Sequence, residues 1–319
     1  MIRPPFDPEL AAALPTINEH VPPGFGADHI PTMRAVTSAR YASDDDLAHG
    51  GAVDVREIPA EGDRVRLLVC RPRAATGPTP VLYYLHGGGM VMGSHRATAL
   101  LDVVEWGQAL GATVVSADYR LAPEHPDPAP VEDCYAGLQW LLGEADGLGL
   151  DPARAVVVGT SAGGGLAAGT ALLARDRGGP ALAGQMLLCP MLDDRDATAS
   201  AAQMAGVGVW DRTANDTGWT ALLGGRRGGP DVSVYAAPGR CEDLSGLPPA
   251  FLDVGSAETF RDETVAYASR LWAAGGAAEL HVWPGGFHAF DGLVPGAELS
   301  RAARAARLPW LTRVLAATR

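Results

Sequence analysis

The sequence lacks lysine, and all 25 of its basic side chains are arginine. This absence excludes a lysine Schiff base, a Ser-Lys catalytic dyad and the phosphate-binding loop that requires lysine. Cysteine is scarce, and Cys70, Cys134, Cys189 and Cys241 form no Cys-x-x-Cys pair. Buried free thiols in a reducing compartment are therefore expected.

Long apolar runs are also missing, and no segment approaches the length of a membrane span. The N-terminus, Met1-Ile2-Arg3-Pro4-Pro5, has no apolar core of the signal-peptide kind, so we expect a cytoplasmic protein. The formal net charge of -12 argues against nucleic acid or an anionic membrane as a partner. No His-x-His or His-Glu-x-x-His pattern occurs, so no metal site is predicted.

With 319 residues, the chain is long enough for one large globular domain with an appendage. From residue 53 onward, apolar strand patterns alternate with helical ones, which predicts an α/β fold with a mostly parallel sheet covered by helices on both faces. Strands are predicted at residues 53–58, 64–71, 81–85, 113–117, 155–158, 185–189, 250–254 and 278–282. Helices are predicted at residues 98–110, 131–142, 162–175, 262–274 and 298–317. Alternating polarity makes the first two strands outer and antiparallel, whereas the solid run at 81–85 indicates a strand buried on both faces.

Two segments break this rhythm. Residues 1–50 are proline-rich, with short helical patterns at 9–14 and 32–40, and cannot bury much apolar surface on their own. Residues 191–237 are irregular and glycine-rich. We expect both to contribute to a cap over a site, with residues 51–190 and 238–319 forming the catalytic domain.

One hydroxyl interrupts the transition from the apolar run at 155–158 to a small-residue helix. Ser161 stands at this strand-to-helix bend, which forces its φ positive and requires small neighbours such as Gly159 and Gly163. At a helix N-terminus, free N–H groups favour developing negative charge, so Ser161 is a candidate nucleophile. Residues 163–168 formally fit a dinucleotide fingerprint, but that pattern begins inside the helix, where its glycines could not cradle a pyrophosphate.

The third predicted strand is followed directly by His86-Gly87-Gly88-Gly89. Consecutive glycines let backbone N–H groups point at one spot, as an acyl-transfer intermediate requires for its oxyanion. The N–H groups of Gly87, Gly88 and Ala162 are the candidate donors.

These two motifs, with Asp118-Tyr119-Arg120-Leu121-Ala122-Pro123-Glu124-His125-Pro126, resemble the hormone-sensitive-lipase-like branch of the α/β-hydrolase fold, also called family IV bacterial esterases. The resemblance extends from Val53 to the end of the chain. It implies an eight-stranded, mostly parallel sheet with a helical cap, and hydrolysis of short-chain acyl esters without a cofactor. Thr160 replaces the aspartate that is common before the serine, which resembles the Gly-Thr-Ser-Ala-Gly subgroup. Members are often homodimers through the edge strand near residues 278–282.

The family's order of triad members is serine, acid, histidine. Of the two histidines after Ser161, His281 falls within a predicted strand, whereas His288 lies in a loop resembling the family's catalytic one. Glu258 stands where the family normally has aspartate and is the candidate acid. Asp262 is the alternative acid, although it would also serve as a helix cap.

Other residues have structural interpretations as strong as their functional ones. Arg120, Glu124, Asp127 and Asp133 are expected to form a network that fixes the loops around the site, as the corresponding segment does in the family. Five apolar side chains are candidates either for the pocket or for the core, namely Met33, Met90, Val207, Trp210 and Trp219.

The sequence therefore predicts a serine carboxylesterase acting through an acyl-enzyme. An amidase or lactonase would use the same residues, and a ligand-binding relative without catalysis is the alternative from another class.

Overall fold

A single eight-stranded sheet runs through the computed structural model, which describes residues 2–62 and 64–317. In chain order the strands are β1 (Val53–Ala60), β2 (Val65–Pro72), β3 (Thr79–Leu85), β4 (Thr113–Asp118), β5 (Leu150–Thr160), β6 (Gly184–Leu188), β7 (Ala250–Gly255) and β8 (Ala278–Trp283). Their spatial order is β1-β2-β4-β3-β5-β6-β7-β8. β2 pairs antiparallel with β1 and β4, and all other neighbouring strands are parallel. The predicted strands and the antiparallel outer pair are confirmed.

Helices cover both faces of this sheet. They are α1 (Pro8–Asn18), α2 (Ile30–Ser38), α3 (Asp44–Leu47), α4 (Leu100–Leu110), α5 (Ala129–Gly143), α6 (Ala145–Leu148), α7 (Ala162–Asp176), α8 (Ala199–Gln203), α9 (Arg212–Leu223), α10 (Arg261–Ala273), α11 (Phe290–Leu293) and α12 (Glu298–Ala317). The four helices predicted between strands and the one predicted after the last strand are present, with ends that differ by up to two residues.

The central position of β3 in the sheet explains why its sequence is mainly apolar. Side chains alternate between the two faces of a strand, so Tyr83 and Tyr84 point in opposite directions. Tyr83 is buried in a cluster with residues of α5, α7 and α10, and Tyr84 is buried in a second cluster with residues of α4 and α12. Both faces of β3 are therefore buried from solvent, as a parallel sheet between helical layers requires.

The N-terminal segment packs against the edge that bears the loops after β7 and β8. α1 extends beyond the predicted residues 9–14, because Leu10, Leu14 and Ile17 recur on one helical face and pack in a cluster with Phe287 and Phe290. This packing places α1 beside the loop that follows β8.

The cysteines are free and buried, as the sequence predicts. Within the described part of the chain, no helix combines the length with the apolarity that a membrane crossing needs.

Candidate active site

The bend between β5 and α7 holds Ser161 in a strained conformation. Its φ is 59° and its ψ is -120°, which confirms the predicted positive φ. A side chain at Gly159 would place its Cβ 2.0 Å from the Gly163 carbonyl oxygen, and one at Gly163 would lie 2.0 Å from the Leu85 carbonyl oxygen. Glycine is therefore required at both positions, since the backbone turns back upon itself.

Ser161, His288 and Glu258 form one chain of contacts. His288 Nε2 lies 2.9 Å from Ser161 Oγ, and His288 Nδ1 lies 2.9 Å from Glu258 Oε1. The other carboxylate oxygen of Glu258 accepts a hydrogen bond of 2.9 Å from the Gly255 N–H. The exposed fractions are 6% for Ser161, 6% for His288 and 1% for Glu258, so bulk water is largely excluded from these contacts.

This geometry determines where the imidazole carries its proton. A carboxylate beside Nδ1 favours the tautomer in which Nδ1–H donates to Glu258, which leaves the Nε2 lone pair facing the Ser161 hydroxyl. The arrangement can therefore accept a proton from Ser161 while the carboxylate stabilises the resulting imidazolium.

The three side chains meet because parallel strands end at the same edge of the sheet. Ser161 follows β5, Glu258 lies in the turn after β7, and His288 lies in the loop after β8. The alternative acid, Asp262, accepts hydrogen bonds from the Ser200 N–H of α8 at 2.8 Å and from Arg261 Nε of α10 at 2.7 Å, so its oxygens are engaged by these two helices.

Neither Asp262 nor His281, the alternatives that the sequence offered, takes part in the contacts among Ser161, His288 and Glu258. Asp262 is not the N-cap of α10, since Phe260 holds that position and Asp262 lies in the first turn. His281 lies within β8, where its Nε2 is 2.9 Å from Glu279 Oε1 and its ring stacks on Trp283.

Two of the three residues predicted to supply oxyanion donors lie beside the same space. Gly87 and Gly88 line the pocket that contains Ser161 and His288, and Ala162 is the first residue of α7, whose N–H has no intrahelical acceptor. A Cβ at Gly88, where φ is 120°, would lie 2.1 Å from the Met92 carbonyl oxygen. Glycine at this position therefore permits the tight loop that forms part of the pocket wall.

The buried side chain of His86 holds the loop at residues 87–89 in position. Burial lowers the pKa of His86 to about 4, so its imidazole is neutral at physiological pH. Its Nδ1 lies 2.7 Å from the Gly87 carbonyl oxygen, and Tyr119 stacks on the ring and donates to the His86 carbonyl at 2.7 Å. Because the carbonyl and N–H of one peptide unit point in opposite directions, fixing the Gly87 carbonyl also fixes the Gly88 N–H.

A mainly apolar pocket of about 280 Å³ opens onto Ser161. The N-terminal segment contributes Met33 to its wall, and the insertion after β6 contributes Trp210. For the other residues that the sequence assigned either to the pocket or to the core, Met90 and Trp219 are buried in the core, and Val207 is half-buried outside the pocket.

Trp210 is held in place by a short polar chain. Its Nε1–H donates to Asn215 Oδ1 at 3.3 Å, and Asn215 in turn donates to Asp196 at 3.1 Å. Thr259 Oγ1 donates to the Trp210 carbonyl at 2.6 Å. Since Thr259 follows Glu258, this last bond joins the pocket wall to the turn that bears the carboxylate.

The prediction that four charged residues form one network is wrong, because they belong to three separate ion pairs. Arg120 pairs with Asp133 at 2.7 Å, and Arg64 joins the same carboxylate. The other two members pair with different segments: Glu124 contacts Arg34 of α2 at 2.7 Å, and Asp127 contacts Arg226 at 3.0 Å. The reason is geometric, since the loop at 119–128 passes between the sheet and both irregular segments.

Sequence reasoning missed a buried ion cluster beneath these loops. Arg307 of α12 is 3% exposed and contacts Asp253 of β7 at 2.9 Å and Asp291 of α11 at 2.5 Å. Burial raises the pKa of Asp253, and the Arg307 charge opposes this shift. No local motif marks these residues, since the contacts span 54 and 16 positions of sequence.

One group of metal-ligating side chains was also not predicted. Among residues 2–62 and 64–317, Cys189, Glu258 and His288 form the only such cluster, with ligand atoms within 4.8 Å of one another.

Comparison with known proteins agrees with this architecture. A family model described as the alpha/beta hydrolase fold matches residues 82–292. Carboxylesterase NlhH of Mycobacterium tuberculosis is 36% identical over 298 residues, covering 90% of this chain and 89% of that protein. An acetyl-hydrolase of Streptomyces hygroscopicus is 34% identical over 68% of this chain and 70% of its own length. The structure of a bacterial heroin esterase superposes with a TM-score of 0.89 at 40% identity, covering 97% of this chain and 98% of that one.

Proposed function

Because the chain belongs to the alpha/beta hydrolase fold family and is a serine carboxylesterase, we propose that Ser161, His288 and Glu258 are its catalytic triad. The observation that carries this proposal is the pair of 2.9 Å contacts through which His288 joins the Ser161 hydroxyl to the Glu258 carboxylate.

In the proposed mechanism, Ser161 Oγ attacks the ester carbonyl carbon while His288 Nε2 takes its proton. The tetrahedral intermediate collapses when His288 returns the proton to the departing alcohol, which leaves an acyl group on Ser161. A water molecule then attacks the acyl-enzyme with His288 again as base, and the carboxylic acid is released. Glu258 holds the imidazole and stabilises its charged form throughout.

The N–H groups of Gly87, Gly88 and Ala162 are the proposed oxyanion hole. Donors fixed before the reaction stabilise the developing negative charge more effectively than water, which must reorient. The hydrogen bond from His86 to the Gly87 carbonyl supports this assignment, because it holds the loop in place without substrate.

Esters with short acyl chains are the proposed substrates. The wall formed by Met33, Trp210 and Val209 limits the space beside Ser161 and offers mainly apolar contact. The name of the Streptomyces relative, acetyl-hydrolase, is consistent with a small acyl group. A panel of esters, lactones and anilides matched in acyl group measures whether the same triad also accepts the alternative bonds.

Residues 1–50 and 191–237 are the proposed cap, with residues 51–190 and 238–319 as the catalytic domain. The two segments contact each other above the site: Phe25 packs against Trp210 at 5.4 Å, and Thr217 Oγ1 donates to the Phe25 carbonyl at 3.1 Å. Both also line the pocket, so together they would control access to Ser161.

Three finer assignments accompany this proposal. Thr160 before the nucleophile supports membership of the Gly-Thr-Ser-Ala-Gly subgroup. β8 is the last strand of the sheet, with Val282 and nearby Trp272 exposed, which supports a homodimer through this edge. The free cysteines support a reducing, cytoplasmic location.

The decisive experiment combines Ser161→Ala with a serine-directed phosphonate. We expect the wild-type chain to be labelled at Ser161 and inactivated, and the variant to lose nearly all hydrolysis while its thermal unfolding is preserved. Labelling at another residue, or undiminished turnover by the variant, would contradict the triad. Binding of esters without labelling of the wild type would favour a ligand-binding protein.

A further inference from the structure

Cys189 lies next to the proposed triad, yet no step of ester hydrolysis uses its thiol. It follows β6 directly, and its backbone N–H donates to the Asp253 carbonyl at 2.8 Å, which fixes its position relative to β7. The residue is 6% exposed. Its sulfur, a Glu258 carboxylate oxygen and a His288 ring nitrogen all lie within 4.8 Å of one another.

A thiol, an imidazole and a carboxylate are the three ligand types that zinc prefers in proteins. Bonds of about 2.3 Å to sulfur and about 2.0–2.2 Å to nitrogen and oxygen place tetrahedral ligand atoms roughly 3–4 Å apart. The Glu258 and His288 atoms are already 2.9 Å apart, and no pair in the cluster exceeds 4.8 Å. Side-chain movements of about an ångström would therefore complete a three-ligand site with one open position.

We propose that Cys189, Glu258 and His288 form an inhibitory site for a thiophilic divalent cation, with Zn²⁺ as the reference ion. This inference rests on the proposed triad, because the ion acts by occupying the atoms that orient its histidine.

Inhibition follows from the tautomer of His288. A cation between Glu258 and His288 takes the Nδ1 lone pair, so the proton of the neutral imidazole must reside on Nε2. Nε2 is then a donor and cannot accept the proton of Ser161, which removes the general base. Cys189 binds as the thiolate and releases one proton to solvent.

A small cavity behind the triad offers a path for the ion. Its volume is about 70 Å³, and Cys189, Asp102 and Asp291 are among the residues that line it. Ala99 and Thr160 line both this cavity and the substrate pocket, so the two spaces adjoin. Asp102 is paired with Arg304, and Asp291 is paired with Arg307, which also lines the cavity, so the cavity provides space for the ion and the cluster provides its ligands.

Cys241 provides a matched control, because it is also a free, buried cysteine. Its thiol donates to the Asp243 carbonyl at 3.1 Å, and it belongs to no metal-ligating cluster among the described residues.

The first experiment measures Zn²⁺ inhibition of ester hydrolysis for the wild type, Cys189→Ala and Cys241→Ala, each normalised to its own metal-free rate. We expect inhibition of the wild type and Cys241→Ala that a chelator reverses. Cys189→Ala should need at least about tenfold more Zn²⁺ for half inhibition, since loss of supporting groups alone costs 10–100-fold in metal affinity. Equal sensitivity of Cys189→Ala and the wild type would overturn the proposal.

The second experiment detects the metal without relying on turnover. Co²⁺ bound to a thiolate absorbs in the near ultraviolet, and we expect this band for the wild type and Ser161→Ala but not for Cys189→Ala. Absence of the band from the wild type would overturn the site. Failure of the triad assignment is distinguishable, because Ser161→Ala would then retain hydrolysis whether or not it binds Co²⁺.

Discussion

The guanidinium of Arg307 lies 2.9 Å from the carboxylate of Asp253, and both side chains are almost completely buried. The same guanidinium contacts Asp291, which follows His288 by three positions. One arginine therefore joins the strand that precedes the Glu258 turn to the helix that follows the His288 loop. This connection keeps the proposed acid and base at a fixed separation.

Replacing Arg307 with methionine would leave the buried carboxylate of Asp253 and the half-buried carboxylate of Asp291 without this cation. Breaking a buried pair in this way costs about 3–5 kcal/mol of unfolding free energy. Arg304→Met is the matched control, because Arg304 lies on the same helix as Arg307 and pairs with Asp102 of α4 at a more exposed position. Urea unfolding should show a large loss for Arg307→Met and a loss below about 1 kcal/mol for Arg304→Met. Equal losses would mean that the buried cluster has no special role.

The identity of the acid is tested by Glu258→Gln against Asp262→Asn. An amide in place of the acid holds the imidazole in the wrong tautomer, which in a comparable triad lowers kcat by about 10⁴-fold. We expect a loss approaching that size for Glu258→Gln. Asp262→Asn should change kcat by less than about tenfold, since its oxygens bond to Ser200 and Arg261. The opposite order would transfer the role to Asp262.

Trp210→Ala should widen the pocket and favour longer acyl chains. Each additional methylene that the pocket can hold contributes about 1–3 kcal/mol to discrimination. The ratio of kcat/KM for p-nitrophenyl octanoate to that for the acetate should therefore rise at least about tenfold. Trp219→Ala is the control, because Trp219 is fully buried away from the pocket. It should lower stability and leave the ratio unchanged, and a similar rise in both variants would contradict the role of Trp210.

His95 should make stability depend on pH. Burial acts to lower the pKa of His95, but its contacts with Asp118 at 3.0 Å and Glu57 at 3.3 Å outweigh burial and raise it above 6.5. A raised pKa in the folded state means that the protonated form stabilises the fold. This contribution is complete below pH 6.5 and is lost as pH rises through the raised pKa.

His95→Gln removes that contribution. The wild type should exceed the variant in urea-unfolding stability at about pH 5.5, and the difference should shrink at about pH 9. The pKa values of Asp118 and Glu57 are lowered, and Arg96 also contacts Glu57, so these carboxylates remain charged at both pH values. A difference that is constant with pH would show that His95 does not titrate as described.

Features encoded by neighbouring residues were predictable from the sequence. The conformation of Ser161 follows from Gly159 and Gly163, because sterics within five residues determine that bend. The strands follow from their apolar patterns, since burial on one or both faces leaves a period of two or a solid run.

Contacts between distant segments were not predictable in the same way. The charge network at 120–133 was wrong as one unit, because Arg34 and Arg226 approach from segments that pack there only in the folded chain. Cys189 meets Glu258 and His288 for the same reason, since adjacent parallel strands bring their ends together irrespective of sequence separation.

The pocket beside Ser161 is lined in part by Met33 of α2 and Trp210 of the insertion, whereas the side chains of the proposed triad follow β5, β7 and β8. Part of the proposed substrate-binding wall and the proposed triad are thus encoded by different stretches of the gene. Mutations can therefore alter the pocket wall while the proposed triad stays intact, so descendants of this protein can acquire new substrates and keep the same catalytic mechanism.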